Sequence, residues 1–240
     1  MSDINWNEVS KSGLSEDQIR TLSSNISWSL VSRYSTLSEE FIEEFADQVN
    51  WLMISRYQKL SERFIEKHED YVKWHEISRF QKLSEPFMDK YADDLDWELA
   101  CRYQKMSEPF LDKHAAKVHW RMVSQYQVLS EDFIRRHKNE IDMALISSWQ
   151  VLTEDFMREF SKELEWERIV RYQSFSEEFI LEHQDKIDFC DLMTYKHHLL
   201  SNSFFEMNFK KLVCVLLSSI CNKTYVYTHG ADIPLDKNDP

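Results

Sequence analysis

A fixed period of 23 residues constrains this chain more than any other feature of its sequence. Tryptophan recurs at this spacing, and Met143 and Phe189 fill the gaps in the series. The tryptophans of the series are Trp28, Trp51, Trp74, Trp97, Trp120 and Trp166. A fixed period of this length is typical of a solenoid, in which each repeat buries its apolar face by stacking on its neighbours.

Each repeat has the signals of two short helices. The residue before the Trp is usually a helix-capping type, at Asn5, Ser27, Asn50, Asp96, Asp142 and Asp188. An aliphatic residue three positions after the Trp and an aromatic six positions after it predict one apolar helix face. A second cap, as in Leu60-Ser61-Glu62, precedes an inward Phe such as Phe64.

The sequence therefore predicts an all-α fold, a right-handed α-solenoid of short helical hairpins with about nine repeats including irregular caps. The predicted core comprises the six tryptophans above with Tyr57, Tyr103, Phe64, Phe110 and three glutamines, Gln58, Gln81 and Gln104. We expect an N-terminal capping repeat over 1–27, seven regular repeats over 28–188, a divergent repeat with a capping helix over 189–221, and a flexible tail over 222–240.

The amino-acid composition argues against several classes of function. A formal charge of −13 argues against a general binder of nucleic acid or anionic membranes, since both need excess positive charge. Two glycines leave no phosphate-cradling loop, and no nucleophile elbow or HExxH helix is present. We therefore expect no enzyme activity and no cofactor. Four cysteines without CxxC spacing and the absence of a secretory signal predict a cytoplasmic protein.

Two polar series follow the tryptophans. Arginine recurs five positions after the Trp, at Arg33, Arg56, Arg79, Arg102 and Arg171, and glutamine recurs seven positions after it. On a helix the arginine lies about 140° from the Trp and the glutamine within about 20° of it. We therefore expect exposed arginines, and buried glutamines that bond backbone groups of the adjoining repeat.

The arginine ladder has two interpretations. It can clamp an acidic peptide, a phosphate series or single-stranded nucleic acid. Alternatively, each arginine pairs with carboxylates of its own or the next repeat, such as Glu39, Glu62, Glu85 or Glu108. The ladder is interrupted at Gln125 and Ser148.

Histidine recurs at one repeat position, at His68, His114, His137 and His183, where other repeats have Phe45, Tyr91 and Phe160. Exchange with phenylalanine predicts a packed ring, and ligands one repeat apart are too distant to share an ion, so we expect no metal site. Protonation of these rings is expected to lower stability.

The repeat pattern DW-x-x-I-S-x-Y-Q-x-LSE-x-F-I-x-x-H resembles short tandem repeats in uncharacterised proteins of large DNA viruses and some phages. The resemblance covers about residues 28–188 and is carried by residues between Trp51 and His68 and by their equivalents in the other repeats. The resemblance implies a viral factor that acts on host proteins in the host cytoplasm. It implies no activity.

Three functions stay open: a protein-interaction scaffold, a nucleic-acid or phospholigand binder that uses the arginine ladder, and a structural or virion spacer. For a scaffold we expect a protein partner and no membrane. The residues that follow each Trp vary between repeats and, with the arginines, form the candidate binding surface: Ser29, Leu52, His75, Glu98, Arg121, Ala144 and Glu167.

Overall fold

The structure, a computed structural model, describes residues 4–201 and residue 204. Within that part of the chain it contains seventeen α-helices, one 3-10 helix and no strand. The all-α solenoid of helical hairpins is thereby confirmed. Most of the predicted C-terminal capping helix and the whole predicted tail lie outside the described residues.

Each regular repeat has a first helix of seven residues and a second helix of six. The helices are α1 (Trp6–Lys11), α2 (Glu16–Leu22), α3 (Trp28–Tyr34), α4 (Glu39–Glu44), α5 (Trp51–Tyr57), α6 (Glu62–Lys67), α7 (Trp74–Phe80), α8 (Glu85–Lys90), α9 (Trp97–Tyr103), α10 (Glu108–Lys113), α11 (Trp120–Tyr126), α12 (Glu131–Arg136), α13 (Met143–Trp149), α14 (Glu154–Glu159), α15 (Trp166–Tyr172), α16 (Glu177–Glu182) and α17 (Phe189–Tyr195), followed by the 3-10 helix His197–Leu199. Helices this short are marginal alone, so packing must stabilise them.

The chain divides into two compact units, Met1–Asp142 and Met143–Pro240. In the first unit the first helices of successive repeats pack side by side, in the order α1, α3, α5, α7, α9 and α11. In the second unit α13, α15 and α17 pack in the same way.

Side-chain caps fix where the helices begin. In the regular repeats, the hydroxyl of the second-helix cap accepts a hydrogen bond from the amide of the inward Phe, for example Phe64 N to Ser61 Oγ at 3.2 Å. Asn50 and Asp96 cap first helices as predicted. The prediction was wrong for Ser27, whose side chain makes no cap bond, although its own amide donates to Ser10 Oγ at 2.9 Å.

Ring stacking joins the two helices of a repeat. Trp51 lies 6.2 Å from Phe64 and 5.1 Å from His68, measured between ring centroids. The same triad recurs around Trp97 with Phe110 and His114. Full burial falls on the aliphatic residues three positions after the Trp and on the residue after the inward Phe, such as Ile54 and Ile65, both 0% exposed. The tryptophans thus pack at the edge of an aliphatic core.

Tyr57 and Tyr103, predicted as core, are instead 41% exposed. The buried face of the first helix is set by the third, fourth and seventh positions after the Trp, as at Ile54, Ser55 and Gln58. The sixth position lies about 120° from the Trp around the helix, on the flank of that face. This prediction was wrong because a spacing of six was taken as a continuation of the apolar stripe.

Within each unit, buried glutamines form hydrogen bonds with the preceding repeat. Gln81 Nε2 donates to the carbonyl oxygens of Ser55 at 2.8 Å and Gln58 at 2.7 Å, and its Oε1 accepts from the Leu60 amide at 3.0 Å. The same three bonds are made by Gln58, Gln104 and Gln127 in the first unit and by Gln173 in the second. The glutamine prediction is confirmed, since three backbone groups of the previous repeat are paired by one side chain.

Two further ladders extend from each repeat to the next. Ser55 Oγ donates to the Trp51 carbonyl at 2.7 Å and accepts from the Lys73 amide at 2.9 Å. Glu62 accepts from the amide and the hydroxyl of Ser84 at 2.5 and 3.0 Å. Within a unit, successive repeats are therefore joined by hydrogen bonds from side chains to the backbone, in addition to apolar packing.

Replacing Gln81 with Leu should lower the free energy of unfolding by roughly 2–4 kcal/mol, because buried backbone groups lose a partner at about 1–3 kcal/mol each while side-chain volume is nearly kept. The measurement is urea unfolding followed by circular dichroism. Lys82→Leu, at the adjacent exposed residue, is the control and should change stability by less than about 0.5 kcal/mol. Equal effects of the two substitutions would contradict the role assigned to Gln81.

Candidate functional site

The arginine ladder is exposed, and each of its side chains lies between two aromatic rings. Arg33 Cζ lies 5.0 Å from the ring centroid of Tyr34 and 5.1 Å from that of Tyr57 in the next repeat. Arg56 contacts Tyr57 at 5.3 Å and Phe80 at 5.0 Å. These distances are those of cation–π contacts, worth about 0.5–1 kcal/mol each at exposed sites.

In the first unit these contacts form an unbroken row, which we call the arginine–aromatic ribbon. Arginines and rings alternate along it, and each of the three inner rings, Tyr57, Phe80 and Tyr103, is shared by the arginines of two repeats. Its members, in spatial order, are Tyr34, Arg33, Tyr57, Arg56, Phe80, Arg79, Tyr103, Arg102 and Tyr126. In the second unit Arg171 makes the same contacts with Tyr172 and Tyr195.

The glutamates proposed as partners of these arginines serve another purpose. Glu39, Glu62, Glu85 and Glu108 accept hydrogen bonds from the serine amides that begin the second helices of the next repeats. Their pairing with the arginine ladder was therefore a wrong interpretation. A carboxylate at an N-cap amide is well placed because the first turn of a helix leaves free N–H groups.

The arginines of the ladder have few hydrogen-bond acceptors of the protein close to them. Within residues 4–201, only Arg56 of the arginine ladder lies within 4.0 Å of a carboxylate, that of Glu76, and none of the five donates a hydrogen bond to a protein atom. The faces of these guanidinium groups contact rings while their N–H groups stay available. An exposed cation with available donors is suited to a carboxylate or phosphate of a partner.

The residues that follow each Trp are on the same side of the first-helix layer, one helical turn before the arginines. They are exposed except Ala144, which is partly buried. His75 lies 2.9 Å from Asp96, and Arg121 lies 3.5 Å from Asp142. Glu98 and Glu167 are also exposed. Within each unit, the structure thus places the variable residues beside the arginines.

Charges on the second helices behave differently, because they pair between repeats. Lys113 binds Asp89 at 2.6 Å, Arg136 binds Asp112 at 3.0 Å, and Lys67 and Lys90 pair with Glu43 and Glu66. The hydrogen bond from Lys113 lowers the pKa of Asp89. The pKa of Asp112 is lowered chiefly by its hydrogen bond from His137. This side of the repeats is therefore charge-compensated, in contrast to the ribbon.

The histidines pack as rings, as predicted, but their polar environments differ. His114 and His137 each place Nε2 near a carboxylate of the previous repeat, at 2.9 and 2.6 Å. His183 Nδ1 lies 3.1 Å from the Phe179 carbonyl oxygen. His68 is buried and its Nε2 has no hydrogen-bond partner. Burial, and then the charge of Lys67, lowers the pKa of His68 below 6.5.

Cys101 occupies the position that serine holds in most repeats. Its side chain is fully buried, and burial raises the pKa of the thiol to about 11, against a smaller opposing effect of the hydrogen bond from the His119 amide. A thiol of that pKa is protonated at neutral pH and is a poor nucleophile. Cys101 therefore replaces a structural serine.

Several functional and structural contacts were missed from the sequence. The serine ladder could have been found, since Ser32, Ser55 and Ser78 recur at the repeat period four positions after the Trp. The ribbon could not have been predicted from the sequence. Contact between Arg33 and Tyr57 depends on the relative position of the first helices of neighbouring repeats, which the sequence does not give. His119, which caps α11 through Nδ1, gave no recognisable signal.

The described residues hold neither a membrane-spanning helix nor a metal site, and comparisons with known proteins found no match. In the described part of the chain, no helix is long and apolar enough to cross a membrane. The same residues contain no group of three or more His, Cys, Asp or Glu side chains arranged to hold a metal ion. No family model matches the chain, and neither a curated protein nor a solved structure matches it. The resemblance to viral tandem repeats stays a prediction.

His68→Phe tests the pKa shift. A lowered pKa in the folded state means that the unfolded chain binds a proton first, so wild-type stability is complete above about pH 6.5 and falls as pH decreases toward the folded-state pKa. The variant lacks this loss, so its urea midpoint should exceed that of wild type by a margin that grows from pH 7.5 to pH 5.5. Phenylalanine already occupies the position as Phe45, so the fold should be kept. A margin that does not change with pH would refute the shift.

Proposed function

We propose that this protein is a non-enzymatic repeat scaffold that binds another protein through the arginine–aromatic ribbon and the variable residues beside it. The proposal rests on one observation: four ribbon arginines and five rings are exposed in one row. In the described residues, a single carboxylate, Glu76, lies within 4.0 Å of these arginines. Arginine, tyrosine and exposed aromatic surface are enriched at protein interfaces.

The charge distribution favours a protein partner over nucleic acid. The chain carries 42 acidic and 29 basic residues, and the ribbon supplies only four aligned cations in the first unit. Binding of nucleic acid depends on many phosphate contacts and on excess positive charge. Nucleic acid or a phospholigand is therefore the second candidate, favoured only by the free N–H groups of the arginines.

The remaining parts of the proposal rest on the sequence. A viral origin, a host protein as partner and a location in the host cytoplasm come from the repeat resemblance alone. A structural or virion spacer is the third candidate, and it predicts self-association instead of capture of a different protein. A non-enzymatic role agrees with the use of the first-turn glutamates as caps of neighbouring helices.

Affinity capture tests the proposal. Purified protein is immobilised and exposed to nuclease-treated cell extract, beside a variant that carries Arg56→Glu, Arg79→Glu and Arg102→Glu. We expect wild type to retain specific proteins at near-stoichiometric amounts and the variant to lose them by about ten-fold or more, because reversed charges at an interface cost several kcal/mol.

The matched control is Lys59→Glu, Lys82→Glu and Lys105→Glu. These lysines lie in the same three repeats, are exposed, and make the same change in net charge outside the ribbon. Capture should be retained with this control. Equal loss with both variants, or retention by wild type that disappears after nuclease treatment, would contradict binding of a protein by the ribbon.

A further inference from the structure

We infer that the ribbon binds an extended acidic segment in the polyproline II conformation, with a carboxylate at every third residue. The inference rests on the proposed function and specifies the chemistry of the partner. It follows from the spacing of the arginines, the unpaired groups along the ribbon and the arrangement of charge beside it.

The upper limit on the spacing of the arginines accommodates one turn of a polyproline II helix. The Tyr57 ring centroid lies 5.1 Å from Arg33 Cζ and 5.3 Å from Arg56 Cζ, so the two Cζ atoms are at most about 10 Å apart. The same limit holds between Arg79 and Arg102, which share Tyr103. Polyproline II has three residues per turn and rises about 3.1 Å per residue, which places every third side chain about 9 Å apart on one face.

Other extended and helical partners fit less well. In a β-strand, residues three apart point to opposite faces, so carboxylates at that spacing cannot all meet one row of arginines. An α-helix with a carboxylate every seventh residue approaches the spacing, at about 10.5 Å. Its backbone groups, however, are bonded internally and would leave the polar groups of the ribbon tyrosines without acceptors.

The groups presented by the ribbon complement such a segment. Between the arginines, the rings of Tyr57 and Tyr103 are each 41% exposed and offer flat apolar surfaces to proline side chains. Within the described residues, neither hydroxyl makes a hydrogen bond to the protein. Backbone carbonyl groups of polyproline II are unpaired and can accept from these hydroxyls. The arginine N–H groups can bind carboxylates in bidentate geometry.

The charges close to the ribbon, and not the net charge of the chain, determine whether an acidic segment can bind there. The residues three positions before the four ribbon arginines border the ribbon. Three of them, Leu30, Met53 and Leu99, are apolar and partly buried, and the fourth is the carboxylate Glu76. On the second helices, Glu43, Glu66 and Asp89 pair with lysines of the next repeat instead of with the ribbon arginines. At physiological ionic strength charges beyond about 8 Å are screened, so an acidic segment can approach the ribbon.

The test uses two labelled peptides of twelve residues with identical composition. One has four repeats of Glu-Pro-Pro and the other has four glutamates in a central block flanked by prolines; the first spans about 37 Å, enough for the four ribbon arginines. Fluorescence anisotropy in about 0.15 M salt measures binding to the full chain. The periodic peptide should bind about ten-fold more tightly than the block peptide, since only its carboxylates match all four arginines.

Variants assign the binding to the ribbon. Arg56→Glu with Arg79→Glu and Arg102→Glu should weaken binding of the periodic peptide by about ten-fold or more, whereas the Lys59, Lys82 and Lys105 control should stay within about two-fold. Tyr57→Leu with Tyr103→Leu keeps every charge and removes two rings, and it should weaken binding by about three-fold. Circular dichroism of each variant confirms that the fold is kept.

Two further probes separate failure of this inference from failure of the proposed function. Equal affinity for the two acidic peptides, or tighter binding of a helical peptide with glutamate every seventh residue, overturns the polyproline II segment. The scaffold function then stands if arginine-dependent capture of proteins persists. Tighter binding of a twelve-nucleotide oligouridylate than of either acidic peptide overturns both, because it makes nucleic acid the partner.

Discussion

The buried glutamine amide is the interaction on which the repeat array depends. One side chain bonds two carbonyl oxygens and one amide at the end of the previous first helix, where backbone groups have no intrahelical partner. Because the helices have only six or seven residues, a large share of their backbone lies at helix ends. Glutamine pairs these groups without water and also sets the register between repeats. The arginines then lie at a regular spacing because the glutamines do.

The sequence predicted the architecture because the period is carried by residues whose roles are local. Caps, inward phenylalanines and buried glutamines follow from helix geometry, and the structure confirms them at Ser61, Phe64 and Gln58. Predictions that needed the offset between neighbouring repeats were less successful. The exposure of Tyr57, the binding of Glu39 to Ser61 and the position of Arg33 between two rings all depend on that offset.

The two sides of a repeat differ in how their charges are compensated. On the second helices, lysine and arginine form ion pairs with acidic residues of the previous repeat, so these cations are already compensated. On the first helices, in the described part of the chain, only Arg56 of the arginine ladder lies within 4.0 Å of a carboxylate, and rings contact the ladder arginines instead. Surface ion pairs contribute little to stability. A cation held between rings keeps its hydrogen-bond donors, and this difference is the physical basis for assigning binding to the ribbon.

The glutamine bonds have a direction along the chain. The carbonyl oxygens of Ser55 and Gln58 and the amide of Leu60 are paired by Gln81, which belongs to the following repeat and is synthesised later. During translation, a repeat that has left the ribosome therefore keeps unpaired backbone groups until roughly twenty further residues emerge. The growing end of the nascent chain is always its least stable part, and premature termination leaves an end of this kind exposed to proteases.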